Sequence, residues 1–139
     1  MPDYNIINKD ITFHHAGILV SCIEEAVKNY SIIFGTDSIS ETYIINSQKV
    51  KVCFVKTGKE VYLELVEPFT ENIPLNKWMK KGIYYYHTGY KVDSIEQIIN
   101  DLEPQGYKFL TPFLSEAFNM KKCVFAYSPD LIFFEFIEI

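Results

Sequence analysis

The stretch His15-Ala-Gly-Ile-Leu-Val-Ser-Cys-Ile-Glu24 returns later in the chain as His87-Thr-Gly-Tyr-Lys-Val-Asp-Ser-Ile-Glu96. Both fit H-x-G-x-x-V-x-x-I-E. Each copy is followed by a similar closing run, Tyr62-Leu-Glu-Leu-Val-Glu67 in the first and Phe133-Phe-Glu-Phe-Ile-Glu138 in the second. Glu64 stands 49 positions after His15, and Glu135 stands 48 after His87. Two short motifs repeated at matched separations indicate a duplicated module. Half of a 139-residue chain buries too little to stand alone, so the two copies are expected to pair.

Working outward, the first copy reads β-α-β-β-β. A strand over 11–20 leads to Ser21 with Glu24 three positions on, a capping-box signature. Ile23, Ala26, Val27, Tyr30 and Ile33 recur at helical spacing, and Gly35 closes the helix. Strand-like runs follow over 39–45, 50–56 and 61–66, the last two joined by the hairpin signal Thr57-Gly58-Lys59-Glu60. A polar connector over 69–82 carries a short helix near 75–79. The second copy has a strand over 84–92 and a capping box of Asp93 with Glu96. Ile95, Ile98, Ile99 and Leu102 form the helical face, and strands follow near 107–110, 123–127 and 131–137. The expected architecture is α+β: one domain of two duplicated βαβββ modules, about 11–68 and 83–139. They form a curved, incompletely closed sheet with the helices outside.

Strand parity gives the repeat a chemical meaning. Side chains alternate, so His15 shares a face with Phe13, Gly17 and Leu19, while His14 is expected on the opposite face. Glu64 shares its face with Tyr62 and Val66, leaving Leu63 and Leu65 to meet the helix. His and Glu therefore lie in the concavity of the sheet, and duplication brings two of each there. His15, Glu64, His87 and Glu135 make a His₂Glu₂ set suited to a divalent ion with positions left for water or substrate. For a lone histidine, an ordinary hydrogen-bonded core role is the simpler reading; the matched pair favours ligation. Both glutamates sit between large apolar neighbours, where a carboxylate needs a metal or proton partner. Glu67 and Glu138 also repeat, but at strand ends, which reads as surface. The run Tyr84, Tyr85, Tyr86 reads as packing, and the lysines of 77–81 as a solvated face.

Composition narrows the field. The net charge is −5 with no basic stripe, which argues against nucleic acid, and there is no arginine to grip an anion through a guanidinium fork. Cys22, Cys53 and Cys123 are odd in number and lack C-x-x-C spacing, so neither a disulfide framework nor a cysteine metal site is expected. Residues 1–10 are polar without a signal-type apolar run, and no stretch approaches a membrane span. A cytoplasmic protein is expected.

The segments FHHAGILV, VYLELVEP, GIYYYHTGYKVDS and SPDLIFFEF resemble the vicinal oxygen chelate superfamily, whose members include glyoxalase I, methylmalonyl-CoA epimerase, ring-cleaving dioxygenases and metal-free bleomycin-resistance proteins. The resemblance spans nearly the whole chain and places a metal ligand in each segment, at His15, Glu64, His87 and Glu135. ELVEP, the connector, KWMKKG and the strand over 48–55 resemble the epimerase branch. The chain departs from that branch in having Tyr86-His87 where two histidines are usual, and in lacking glycine at Ser128-Pro-Asp-Leu131. The resemblance implies a divalent cofactor (Zn, Ni, Co or Mn), a homodimer, and a small-molecule substrate such as an acyl-CoA or a thiol adduct.

Three functional readings follow. The first is an epimerase-like isomerase that removes a proton beside a thioester or related carbonyl through a metal-stabilised enolate. In it Glu135 is one base and Glu64 is ligand and second base, the two roles being interchangeable. The second is a glyoxalase I-like lactoylglutathione lyase, which the His/Glu/His/Glu set fits equally, since epimerases often carry Gln at the position of Glu64. The third is a non-enzymatic binding protein of the resistance type; those relatives generally lack the ligands that this chain keeps.

Overall fold

In the computed structural model, which describes residues 11–139, the two repeated strands lie side by side at the middle of one sheet. The polar segment 1–10 falls outside the described residues. The strand β1 (Thr12–Leu19) pairs antiparallel with β5 (Tyr85–Val92), and this pair is the seam between the halves. In the first half, α1 (Ile23–Phe34) follows β1, and β2 (Ile39–Ile45), β3 (Val50–Gly58) and β4 (Val61–Pro68) complete the wing. The connector holds α2 (Ile73–Lys80). After β5 come α3 (Ile95–Leu102), β6 (Lys108–Phe109), β7 (Phe113–Ser115), β8 (Lys121–Tyr127) and β9 (Phe133–Glu138). The sheet order is β2-β3-β4-β1-β5-β9-β8-β6, with β7 also paired to β8. The outer strands β2 and β6 do not meet, so this mixed α+β fold is an open nine-stranded sheet, as the repeat predicts.

Each helix covers the outer face of its own wing. Ile23 of α1 packs with Cys53, Val55 and Leu65, and Ala26, Val27, Tyr30 and Phe34 lie against them. Leu63 and Leu65 do meet the helix, as parity predicts. Ile33, expected on that stripe, is 71% exposed. The contact stripe runs 23, 27, 30, 34, and residue 33 sits about 100° off position 34 on the helix. In the second wing, Ile95 and Ile98 pack on Val92, Val124, Ala126 and Phe136. The connector helix is longer than predicted, starting at a cap where Asn72 accepts from the Leu75 N–H. Its Leu75 joins Leu19, Ile45, Val50, Val52 and Val66 in a further cluster. Among the described residues, no helix is long and apolar enough to cross a membrane.

The caps differ from those expected, and the difference explains a repeat. Neither Ser21 nor Asp93 caps its helix. The N-cap of α1 is Cys22, which makes no side-chain cap bond, and that of α3 is Ser94. The Ser94 hydroxyl accepts from the Gln97 N–H at 3.1 Å, and in both helices a glutamate from the last strand of the half caps a further amide. The Ile23 N–H donates to Glu67 Oε1 at 2.8 Å, and the Ile95 N–H donates to Glu138 Oε1 at 3.1 Å. A carboxylate at a helix N-terminus satisfies an orphan donor and complements the helix dipole. The two glutamates therefore tie each helix to the strand that closes its module, rather than lying idle at the surface.

Replacing Glu67 or Glu138 with Ala should each lower stability by about 1 kcal/mol, with Gln in between, because the cap is lost while the buried core is untouched. Urea denaturation measures this; losses under about 0.3 kcal/mol at both sites would show that water caps these helices equally well.

Candidate metal centre

The centre is built on two rungs that cross the sheet. In one, Phe54 pairs with Glu64, Glu64 with Gly17, and Gly17 with His87. In the other, Phe125 pairs with Glu135, Glu135 with Gly89, and Gly89 with His15. Each rung thus reads Phe–Glu–Gly–His and draws its His from the half opposite its Glu. The glycine of H-x-G is required by this arrangement. A Cβ on Gly17 would lie 2.6 Å from the His87 ring, and one on Gly89 would strike the ring of His15. Each imidazole leans over the other half's glycine, which brings the ring nitrogens together at the seam.

All four expected residues meet, and all come from one chain. Their ligand atoms lie within 4.8 Å of one another, and all four residues are buried. His15 Nε2 and His87 Nε2 are 2.9 Å apart. Glu64 Oε1 is 3.2 Å from His87 Nε2 and 3.7 Å from His15 Nε2. Glu135 Oε1 is 3.1 Å from His15 Nε2 and 3.3 Å from His87 Nε2, and this buried oxygen has no hydrogen-bond partner. Donors that share one ion at roughly 2.0–2.2 Å stand roughly 3–4 Å apart. These separations, together with a buried carboxylate oxygen lacking a partner, fit a divalent ion.

Without an ion, the cluster needs protons. Burial pushes His87 down, but the carboxylates of Glu135 and Glu64 outweigh it and raise its pKa to about 9. Burial pushes Glu135 up, and the imidazoles of His15 and His87 more than reverse this, holding it well below the usual carboxylate range. His87 therefore favours its protonated form and Glu135 its ionised form in the metal-free cluster.

His14 is not on the opposite face. Phe13 pairs with Tyr90 and His15 with Gly89, so His14 is an extra residue in a β-bulge. The bulge breaks strand alternation and turns His14 inward, where its ring stacks on Tyr62 and its Nδ1 lies 2.8 Å from His15 Nδ1. A second bulge mirrors it: Gly17 pairs with His87 and Ile18 with Tyr85, leaving Tyr86 extra. Tyr84 and Tyr85 are exposed and so do not pack in the core, while Tyr86 turns toward the site. Burial, then the nearby Glu135, drive its hydroxyl pKa upward, so it stays a neutral O–H donor. Sequence parity missed both residues, because a bulge leaves no periodic signal.

The approach to the centre is one-sided. A small cleft of about 20 Å³ reaches Glu64, His87 and Glu135 but not His15. Its walls are mostly apolar, including Val50, Val52, Phe113 and Phe125, with Gln48 the polar exception beside Tyr86 and the ligands. On the other side, His14, Phe54 and Phe118 cover His15. A larger groove, about 530 Å³, lies between α1 and β2 and contains none of the four residues.

Comparison with known proteins identifies relatives of this chain and of its fold. Residues 14–125 match the family model of the Glyoxalase/Bleomycin resistance protein/Dioxygenase superfamily; the match includes His15, Glu64 and His87 and stops short of Glu135. Uncharacterized protein YqjC of Bacillus subtilis (strain 168) is 30% identical over 112 residues, which cover 80% of this chain and 79% of that protein. The crystal structure of hypothetical protein BH1468 from Bacillus halodurans C-125 has a TM-score of 0.78 at 27% identity, covering 94% of this chain and 96% of that one. Methylmalonyl-CoA epimerase from Mycobacterium tuberculosis has a TM-score of 0.79 at 18% identity, covering 91% and 87%, a likeness of fold.

Two outcomes are expected from this geometry. The Gly17→Ala variant should lose about 1–3 kcal/mol by overpacking against His87, whereas Gly58→Ala, whose added Cβ meets nothing within 4 Å, should change little. Equal effects of the two in urea denaturation would remove the close-approach argument. Metal-free protein in chelator should be most stable near pH 6.5. As pH rises from 6.5 through about 9, folded His87 keeps a proton that the unfolded chain has released, so its contribution is lost. As pH falls below 6.5, His14, which burial and then the charge of His15 lower to about 4, takes up its proton more readily unfolded. Below 4.5 the contribution of Glu135 is lost as well. Thermal midpoints across this range measure the curve; a midpoint rising steadily through about pH 9 would show that His87 holds no extra proton.

Proposed function

The chain belongs to the glyoxalase/bleomycin resistance protein/dioxygenase superfamily, and on that footing we propose that it is a metal-dependent isomerase acting beside a thioester or related carbonyl, in the manner of methylmalonyl-CoA epimerase. The observation that carries this reading is the placement of Glu64 and Glu135, one from each half, on rungs that converge on two facing imidazoles. Members of this superfamily typically hold a divalent metal, and the proposed ligands here are His15, Glu64, His87 and Glu135.

A divalent ion bound there would act as a Lewis acid toward a substrate with two neighbouring oxygens and would favour the negative charge that develops as the α-proton leaves. The protein's own groups supply the rest. The Glu135 carboxylate would accept that proton through the oxygen that the ion leaves free. Inversion of a stereocentre needs a donor on the opposite face: Glu64, on the other rung, would enter the cycle protonated and give its proton to the carbon, leaving Glu135 protonated, and the two would exchange roles in the reverse direction. The neutral hydroxyl of Tyr86 donates at the cavity wall, and the apolar walls exclude water from the reacting carbon. The chamber of about 20 Å³ has room for roughly one water, so a substrate's reacting carbon would meet the ligands at its mouth, with a long carrier such as CoA outside, toward the exposed Lys77 and Lys80 of α2. Glu64 also favours a second reading, a glyoxalase I-like lyase, because a carboxylate rather than an amide stands at that position. A cytoplasmic homodimer belongs to the same proposal; light scattering at micromolar concentration checks the pairing.

Elemental analysis after reconstitution should find on the order of one divalent ion per chain, and His87→Ala should lose it. The loaded protein should then exchange the α-proton of an acyl-CoA such as methylmalonyl-CoA in deuterated water. No stoichiometric metal would overturn the metalloenzyme reading; metal without exchange, but with turnover of the methylglyoxal–glutathione adduct, would move the assignment to the lyase.

A further inference from the structure

We propose that His14 is the positioning residue of this centre, fixing the ring orientation and tautomer of His15 through a hydrogen bond between their Nδ1 atoms. The inference rests on the four-ligand reading above and deepens it.

Three observations carry it. The bulge in β1 removes His14 from the cross-strand ladder and brings it onto the ligand face. Its ring is then held firmly: it stacks on Tyr62 at 4.8 Å and meets Phe54 and Phe118 edge-on at 5.7 and 5.3 Å, with 8% of the residue exposed. The two Nδ1 atoms are 2.8 Å apart, so one must carry a hydrogen and the other accept it.

The sense of that bond follows from the far end of His15. A neutral imidazole has one N–H, and a ligand needs its lone pair free at the coordinating nitrogen. His15 Nε2 faces His87, Glu64 and Glu135, so its proton belongs on Nδ1. His14 Nδ1 accepts that proton and keeps its own on Nε2. An imidazole thus fills the place that a carboxylate or backbone carbonyl often fills behind a ligating histidine.

The two halves of the centre differ in this respect. Tyr86 is the bulged residue before His87, but it packs edge-on against that ring, and His87 Nδ1 is buried without a hydrogen-bond partner. His15 is the anchored ligand and His87 the unanchored one. The unanchored ligand is also the one that the cavity reaches.

Two substitutions separate positioning from packing. The His14→Phe variant keeps a ring among Tyr62, Phe54 and Phe118 but offers no acceptor. The His14→Asn variant places an amide oxygen near the position of Nδ1. Long-range proton–nitrogen correlations on metal-free protein read the tautomer of His15 directly, and competition against a chelator reads Co(II) affinity. Wild type should show His15 protonated at Nδ1. Phe should give a mixture of tautomers and Co(II) binding ten- to a hundredfold weaker, and Asn should recover most of the loss. His15 protonated at Nε2 in wild type, or Co(II) bound as tightly by Phe as by wild type, would overturn the inference while leaving the four-ligand reading intact. Wild type that binds no Co(II) would instead overturn that reading and with it the ligand-positioning role of His14.

Discussion

The structure depends on how closely an imidazole can approach the neighbouring strand. At the seam, the ring of His87 lies over Gly17 and the ring of His15 over Gly89, at separations that leave no room for a β-carbon. Only glycine in the third position of H-x-G allows this. The approach sets the distance between the two Nε2 atoms and brings Glu64 and Glu135 to them from the flanking strands. The antiparallel β1–β5 register, the two rungs and the burial of four titratable groups all follow from that one steric allowance. The rest of each half is scaffolding that keeps the register: helices on the outer face, and Glu67 and Glu138 holding each helix to the strand that carries the ligand glutamate.

Duplication supplied the centre with two equivalent sets of parts, and the bulges made them unequal. Each ligand histidine is preceded by an extra residue turned inward, but one is His14 and the other Tyr86. The first pairs with its neighbour's Nδ1 and, with Phe118, closes that flank. The second leaves a gap lined by Gln48 and apolar side chains. Symmetry of the backbone therefore coexists with a direction of approach.

What the sequence disclosed was what repeats. The paired motifs located the seam strands and both helices, and they singled out the four residues that the fold brings together. Parity correctly turned Leu63 and Leu65 toward α1. It failed at His14 and Tyr86, because a one-residue bulge reverses alternation without changing composition. The capping-box pattern failed at Ser21 and Asp93 for another reason. The first amide of each helix is satisfied from 43 or 44 residues away, by glutamates that local spacing cannot connect to it, and the local cap of α3 falls on Ser94, one residue past Asp93. The recurrence of Glu67 and Glu138 was the available signal. Ile33 misled because an exposed isoleucine, one position from Phe34, extends the apolar pattern without joining the contact. The glycines of H-x-G were visible as a motif, but their necessity appears only once His15 faces Gly89 and Gly17 faces His87.

The rungs also bear on mechanical cohesion. Each runs from a glutamate in one half to a histidine in the other, so nothing bound at their crossing belongs to either half alone. Occupancy would act as a staple through the β1–β5 seam, adding its binding free energy to whatever holds the wings together. Opening that seam would then mean releasing the occupant first.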